Sequence, residues 1–397
     1  MEPDLESGYD IERLRKQLPI LAECLYFNTG TVGIMAEPVL ERHLDNIADH
    51  ERGGHASQRR AIEGYEQARS AIADLVGAER KSVALNRNAT DGINWIAGGF
   101  PLQPGDEVIT SDQEHPAMIY PLLAACQRAG ATLRFVRLTH DVDQLDSYLT
   151  EAVNARTRLI SFSHVSCETG TRVPVEQIRR IVGSDVRILV DASQSVGQFD
   201  VKVGGLNADF VIGNGHKWLA GPKGSGFAWF ADDALELVPP AYFGDGAVTP
   251  QWSRSHYQAN PLPRLAYACD ASRFEFGTRA WHTYGALSDA IDYLRGIGWQ
   301  SIFDHVGRIT TFMKATLNEI PGVDVMTPER WEDSSGLVTF TIAGLNGLSV
   351  SERLWSEGIA QRSVEVPSAV RVSCTYFTNE EDVTRLSQVV DRIARGT

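Results

Sequence analysis

The sequence predicts an α/β protein with a large domain on a mostly parallel central sheet and a second, smaller α+β domain. Three observations lead there. Between about residues 83 and 230, short Val- and Ile-rich runs alternate with helical patterns, as in βαβ units whose sheet is covered on both faces. A chain of 397 residues suits two globular domains better than one. From residue 281 the order becomes a long helical stretch, then strand, helix, strand and helix, which reads as a separate α+β unit. The expected division is 26–280 for the large domain and 1–25 with 281–397 for the small one.

Within the large domain the apolar runs place strands at 107–111, 158–163, 187–191, 209–213 and 226–230. Helical spacing predicts helices over 59–76, 90–98, 117–129 and 175–182. Residues 239–278 break the rhythm, with Pro239, Pro240, Pro250, Pro261 and Pro263 set among Tyr242, Phe243, Trp252, His256 and Tyr257. A long irregular stretch inside a compact domain is more often a functional loop than an accident, and a bulky substrate is expected to be read there. The small domain is expected to run helical from 281 to about 320, then strand 337–342, helix 350–357, strand 370–376 and helix 380–394.

Composition narrows the function classes. With 43% hydrophobic and 22% charged residues, the chain is neither disordered nor a collagen-like repeat nor a disulfide scaffold. No apolar run approaches the roughly 18 residues of a membrane span. The acidic, polar N-terminus lacks the pattern of a secretory signal, so a cytoplasmic protein is expected. A net charge of −14 argues against nucleic-acid binding, although an anionic ligand can still be held in a local pocket. Cys24, Cys126, Cys167, Cys269 and Cys374 are scattered without a C-x-x-C pair, which predicts reduced thiols and no metal site.

In sheets of this kind, ligands bind beyond the carboxyl ends of the strands. The strand ends here carry Asp191 in DASQS, Lys217 in NGHKWLAGPKGSG, His115 in DQEHPA and Cys167 in HVSCETG; NRNATDG opens the helix at 90. Lysine is scarce, at 16, 81, 202, 217, 223 and 314 only, so each one is informative. Taken singly, Asp191 reads as a helix cap, Lys217 as a solvated surface lysine and His115 as a structural imidazole. Together on one sheet edge they can do more. A lysine amine forms a Schiff base with an aldehyde, and an aspartate keeps a pyridine nitrogen protonated. A helix N-terminus receives a phosphate, and an imidazole can lie on a ring face. Pyridoxal phosphate needs all four.

The run VDASQSVGQFDV…GNGHKWLAGPKGSG resembles the lysine region of fold-type I, class-V aminotransferase-like enzymes, in particular the cysteine desulfurases and cysteine/cystine C–S lyases. The resemblance extends from FNTGTVG at 27–33 to RVSCTYFTNEEDV at 371–383. It implies a pyridoxal 5′-phosphate enzyme with Lys217 as the Schiff-base lysine, Asp191 at the pyridine nitrogen, Gln194 at the phenolic oxygen and His115 stacked on the ring. It assigns Ala89, Thr90, Asn214 and His216 to the phosphate cup, Asn214 standing where many relatives carry a small hydroxyl residue. Thr278, in FEFGT, matches a residue that relatives send across a dimer interface to the partner's phosphate. The segment ERGGHASQRRAIEGYEQAR resembles the interface loop and brings His55 near the pocket, so a homodimer is implied.

For the substrate, a free α-amino acid needs an arginine to grip its carboxylate. The resemblance gives that role to Arg371 and pairs it with Arg362, as in the C–S lyases, with Asn28 and Cys167 also facing substrate. Desulfurases carry a nucleophilic cysteine on a loop before this arginine strand, and 362–370 has none. Cys167 stands where desulfurases have an asparagine. The implied activity is therefore β-eliminating cleavage of the Cβ–S bond of cysteine, cystine or a cysteine S-conjugate. The alternatives are a decarboxylating oxidative deamination of an S-conjugate, or class-V epimerase or aminotransferase chemistry. A catalytically inactive regulatory module is disfavoured, because Lys217 and Asp191 are both present.

Overall fold

The computed structural model describes residues 9–245, 247–249, 253–262, 264 and 266–396. Residues 1–8, Pro250, Trp252 and Pro263 lie outside the described residues. In chain order come helices α1 (Glu37–Gly53) and α2 (His55–Val76), strand β1 (Val83–Asn86), α3 (Ala89–Gly99), β2 (Glu107–Ser111), α4 (Pro116–Ala129), β3 (Thr132–Val136), α5 (Val142–Ala152), β4 (Thr157–Ser163), β5 (Arg187–Asp191), β6 (Phe210–Asn214) and β7 (Gly226–Phe230). The seven strands form one sheet in the order β1-β7-β6-β5-β4-β2-β3. Neighbours from β3 to β6 pair in parallel, and β7 runs against both β6 and β1.

Period-2 alternation inside these strands feeds two cores. Ile188 and Val190 of β5 face one side, with Ile72 of α2; Leu189 faces the other, with Ile93 of α3 and Met118 of α4. Strands apolar on both faces are what a helix-covered parallel sheet requires. The chain leaves β2 toward β3 on one side and later builds β4, β5 and β6 on the other, so strand order reverses between β2 and β4. Crevices at such reversals bind ligands. Ser163 at the end of β4 stands in register with Asp191 at the end of β5, so the polar residues ending the strands share one edge.

Beyond β7 follow α6 (Trp281–Ile297), α7 (Trp299–Asn318), β8 (Val323–Val325), β9 (Leu337–Ile342), α8 (Gly347–Ser356), β10 (Arg362–Val364), β11 (Ala369–Ser373) and α9 (Glu380–Arg395). A second, antiparallel sheet has the order β8-β9-β11-β10. Val338 and Phe340 of β9, with Val370 and Val372 of β11, bury against Ile309 and Met313 of α7 and Leu386 and Val390 of α9. Alternation then turns Thr339 and Arg371 to the opposite face, toward the large sheet. The N-terminal arm joins here, Leu25–Tyr26 pairing in parallel with Ile359–Ala360.

Several expected elements differ. The helical stretch from 281 is two helices, broken at Gly298 with φ 103°. The helix expected from 59 begins at His55, and the helix over 175–182 is a 3₁₀ turn (Val175–Gln177) followed by Ile178–Val182. The strand expected over 370–376 ends at Ser373. Strands β1, β3, β8 and β10 are additional to the expected elements: β10 is three residues (RSV), and β3 (TLRFV) is mostly exposed or half-buried at a sheet edge. Within 239–278 the described residues form a short antiparallel pair, Val248–Thr249 with Ala266–Tyr267, and 3₁₀ turns at Arg254–Gln258 and Ala271–Phe274. Among the described residues no helix is long and apolar enough to cross a membrane.

The two sheets meet closely at Gly170, whose φ is +72° and whose missing Cβ would lie 2.2 Å from the carbonyl oxygen of Leu337. A side chain there meets backbone and a left-handed conformation at once. Gly170→Ala is expected to lower stability by at least about 2 kcal/mol in denaturant unfolding; an unchanged midpoint would show that the junction gives way freely.

Candidate active site

At the edge where the parallel strands end lies a cavity of about 310 Å³. Lys217, Asp191, His115, Gln194, Ala89, Thr90, Asn214, His216, Cys167, Arg362 and Arg371 all line it. Eleven residues expected at one site are thus brought together from five strand ends and the second sheet. Asn28, His55 and Thr278 are not among the lining residues. Asn28 shapes the turn of the N-terminal arm, its carbonyl accepting from Thr31 and Val32, while its Oδ1 is buried without a partner. His55 is exposed at the start of α2, bonded to Gln58 at 2.9 Å. Thr278 is exposed and lines a separate cleft with Arg87, Lys223 and Arg279.

Lys217 follows β6 in a turn held by the arm: Gly33 N–H donates to the His216 carbonyl at 2.7 Å. A Cβ on Gly33 would lie 2.1 Å from the Lys217 carbonyl oxygen, so only glycine allows this approach. Among the described residues the Lys217 amine makes no hydrogen bond or ion pair. Burial lowers its pKa against the opposing pull of Asp191, and Arg371 and Arg362 lower it further. The amine is therefore biased toward its neutral, nucleophilic form.

Asp191 is buried at the end of β5, and its Oδ1 accepts the Ser193 N–H at 2.8 Å. His115 caps α4, its Nδ1 accepting from the Ala117 N–H at 3.1 Å. Burial and then Lys217 lower its pKa, so the ring is neutral with its proton on Nε2. Gln194 is fixed from two sides: its Nε2 donates to the Gly30 carbonyl at 2.7 Å, and its Oε1 accepts from Trp218 Nε1 at 2.8 Å. Asn214 accepts the Ala89 N–H at 2.9 Å and donates to Ser193 Oγ at 2.9 Å, joining α3 to the ends of β5 and β6. Cys167 is buried, and burial followed by Glu168 pushes its thiol up to about 12, so it stays protonated.

The two arginines stand directly opposite one another on antiparallel β10 and β11. Their separation of nine residues in sequence becomes a cross-strand pair facing the cavity. Arg362 is exposed at its mouth; Arg371 is buried, with 3% of its surface exposed. Arg371 Nη1 donates to the Cys167 carbonyl, Nη2 donates to Thr31 Oγ1 at 3.0 Å, and Nε is buried without a partner. Among the described residues no carboxylate lies within ion-pairing distance of it.

Sequence reasoning passes over two residues. Thr31 lies in the FNTGTVG motif, but only the fold shows that its hydroxyl meets Arg371. Glu114 precedes His115 and is buried between strand ends. Its carboxylate accepts from Ser111 Oγ at 2.7 Å, Ser163 N–H at 2.9 Å and Ser163 Oγ, so it ties β2 to β4 where strand order reverses. Polar residues ending two separate apolar strands were the available signal.

The arrangement fits pyridoxal phosphate. It offers a lysine whose amine makes no hydrogen bond among the described residues, the buried Asp191 carboxylate, a neutral imidazole, the opening turn of α3, and a His216 Nδ1 that is buried with no hydrogen-bond partner among the described residues. The class-V aminotransferase family model matches residues 35–386. The chain belongs to that family. It is a pyridoxal-phosphate-dependent enzyme. Among family relatives, a probable cysteine desulfurase of Streptomyces coelicolor is 30% identical over 377 residues, covering 89% of this chain and 87% of that one. A probable cysteine desulfurase of Synechocystis sp. is 28% identical, covering 93% and 92%. Of solved structures, the cystine C–S lyase C-DES with its product cysteine persulfide superposes with a TM-score of 0.86 at 26% identity, covering 94% and 99%. A C-DES mutant with glycine linked to its pyridoxal phosphate gives 0.87 at 26% identity, covering 98% and 100%.

Glu114 supplies a pH test. Burial raises its carboxyl to about 7 against its three donors, with Asp191 adding to the rise. The folded state then holds a proton that the unfolded chain has lost, so this group's stabilising contribution is complete below its ordinary pKa and disappears as pH rises through about 7. The denaturation midpoint of cofactor-free protein is expected to fall between pH 5 and pH 8, and Glu114→Gln to flatten that fall. An equally steep profile in Glu114→Gln would assign it to other groups.

Proposed function

We propose that this enzyme is a C–S lyase that cleaves the Cβ–S bond of cysteine, cystine or a cysteine S-conjugate by β-elimination. The observation that carries the reading is the cross-strand pair Arg362 and Arg371, the second of them buried without an anionic partner among the described residues. A guanidinium in that state is an anchor for a carboxylate, and the cavity joins it to Lys217. Bound pyridoxal phosphate supplies an electron sink that acidifies the substrate's Cα–H. In our reading Lys217 would bond the cofactor, Asp191 would hold its ring nitrogen, His115 would pack against its ring, and Gln194, Ala89, Thr90, Asn214 and His216 would bind its oxygens. Arg371, helped by Arg362, holds the α-carboxylate and so fixes which bond at Cα is broken.

The Lys217 amine, biased toward its neutral form, would take the Cα proton. The Cα–H electron pair becomes the Cα=Cβ bond as sulfur leaves with the Cβ–S pair and acquires a proton. The remaining enamine tautomerises and hydrolyses to pyruvate and ammonia. A loop-cysteine desulfurase is a weaker reading: β10 and β11 are joined by a short hairpin, and 362–370 contains no cysteine. Cys374 is fully buried, and burial pushes its thiol up to about 12. The names of the relatives, cysteine desulfurase and cystine C–S lyase, support chemistry at a cysteine C–S bond. We read the active unit as a cytoplasmic homodimer, in keeping with five free cysteines and with Thr278 and His55 exposed outside their own chain's cavity.

Incubating the loaded enzyme with cystine or a bulky cysteine S-conjugate, with and without O₂, and identifying products by mass spectrometry tests the reading. Pyruvate with free thiol or persulfide, independent of O₂, is expected. Loss of CO₂ with sulfur retained would overturn it in favour of the decarboxylating alternative. Lys217→Ala is expected to reduce turnover about a thousandfold, and turnover within tenfold of the wild type would remove Lys217 from its role as base.

A further inference from the structure

Arg371 belongs to a row that crosses three strands. Thr339 of β9 is in register with Arg371 of β11, which is in register with Arg362 of β10. The loop 167–170 of the large sheet lies against this row and its surroundings. Four consecutive carbonyls of that loop are held by four side chains from the second sheet and its approaches. Arg371 Nη1 donates to Cys167 O, Thr339 Oγ1 to Glu168 O at 2.6 Å, Thr327 Oγ1 to Thr169 O at 2.6 Å and Ser335 Oγ to Gly170 O at 2.9 Å. Thr339 and Thr327 are fully buried, or nearly so, and nothing in the cavity chemistry requires their hydroxyls. From the other side Thr31, on the N-terminal arm, accepts from Arg371 Nη2 at 3.0 Å.

We propose that Thr31 and Thr339 are positioning residues for the substrate carboxylate, Thr31 by holding Arg371 directly and Thr339 by holding the loop whose first carbonyl receives Arg371. The inference rests on the reading of Arg371 as the carboxylate anchor. Arginine rotamers are numerous, and holding one in advance removes an ordering cost from binding. Two neutral oxygens do this without neutralising the charge, so the guanidinium is oriented and remains available to an anion. An aspartate in place of either oxygen would pair with the arginine and compete with substrate. The same geometry ties Cys167 to the anchor: the residue that gives its carbonyl to Arg371 also lines the cavity. The distance between the carboxylate and the Cys167 side chain is then set by the loop.

The test is binding, read from the absorbance of the loaded enzyme's cofactor during titration with two probes. Glycine carries an amine and a carboxylate; methylamine carries the amine alone. Thr31→Val is expected to weaken glycine about tenfold and Thr339→Val about threefold, with methylamine unchanged. Thr31→Ser and Thr339→Ser, which keep the hydroxyl, are expected to restore glycine binding. Equal effects on both probes, or no effect on either, would overturn the proposal, as would failure of the serine variants to recover. If the valine variant at 31 does not fold, Thr339→Val and the two serine variants still decide the outcome. Arg371→Gln separates this proposal from the reading beneath it. If that variant binds glycine as tightly relative to methylamine as the wild type does, Arg371 is not the carboxylate anchor, and the assignment of the site itself fails.

Discussion

The structure depends on a positive charge placed where water does not reach it and no negative charge meets it. Removing a guanidinium from water is costly unless it is paired, and breaking a buried pair costs about 3–5 kcal/mol. Arg371 sits in that condition among the described residues, held by a backbone carbonyl and a threonine hydroxyl, with one nitrogen unpartnered. Burial works against its charge. A fold keeps such a residue when an anion that visits the site completes it. In our proposal the substrate's α-carboxylate supplies the counter-charge that Arg371 lacks among the described residues.

Much of the architecture serves that placement. Period-2 alternation puts Val370 and Val372 into the second core and leaves Arg371 facing the large sheet. The hairpin of β10 and β11 brings Arg362 opposite. Across the cavity, the strand reversal between β2 and β4 opens the crevice, and Glu114 ties its two sides together through Ser111 and Ser163. The result joins a lysine biased toward neutrality, a buried aspartate and a buried guanidinium in one small volume.

The large sheet was legible because its strands are apolar on both faces, and apolar runs of five residues between turn residues are strong signals. The polar residues ending those runs, Asp191, His115 and Lys217, were legible for the same reason: each interrupts an apolar pattern. β10 and β3 were not, since a three-residue strand and a mostly solvent-facing edge strand carry no alternation. α1 was passed over because its long polar face masks a narrow apolar one. At the site, resemblance named Arg371 and Arg362, but their face-to-face pairing needed the register of β10 on β11. Thr31 and Thr339 make hydrogen bonds to residues far away in the chain, and no local pattern announces such contacts; Glu114 left a signal as a polar residue after an apolar strand, but its bonds to Ser163 needed the fold. Asn28, His55 and Thr278 lie away from the cavity lining of their own chain; for His55 and Thr278 the expectation drew on a second subunit.

The central claim is that Arg371 is an oriented, unpaired cation awaiting a carboxylate. Its most direct test is a crystal structure of the enzyme loaded with pyridoxal phosphate and glycine. The account predicts the glycine carboxylate on the Nη atoms of Arg371, with the bonds to Thr31 and the Cys167 carbonyl retained. A carboxylate held elsewhere in the cavity, with Arg371 still bonded only to protein oxygens, would contradict it.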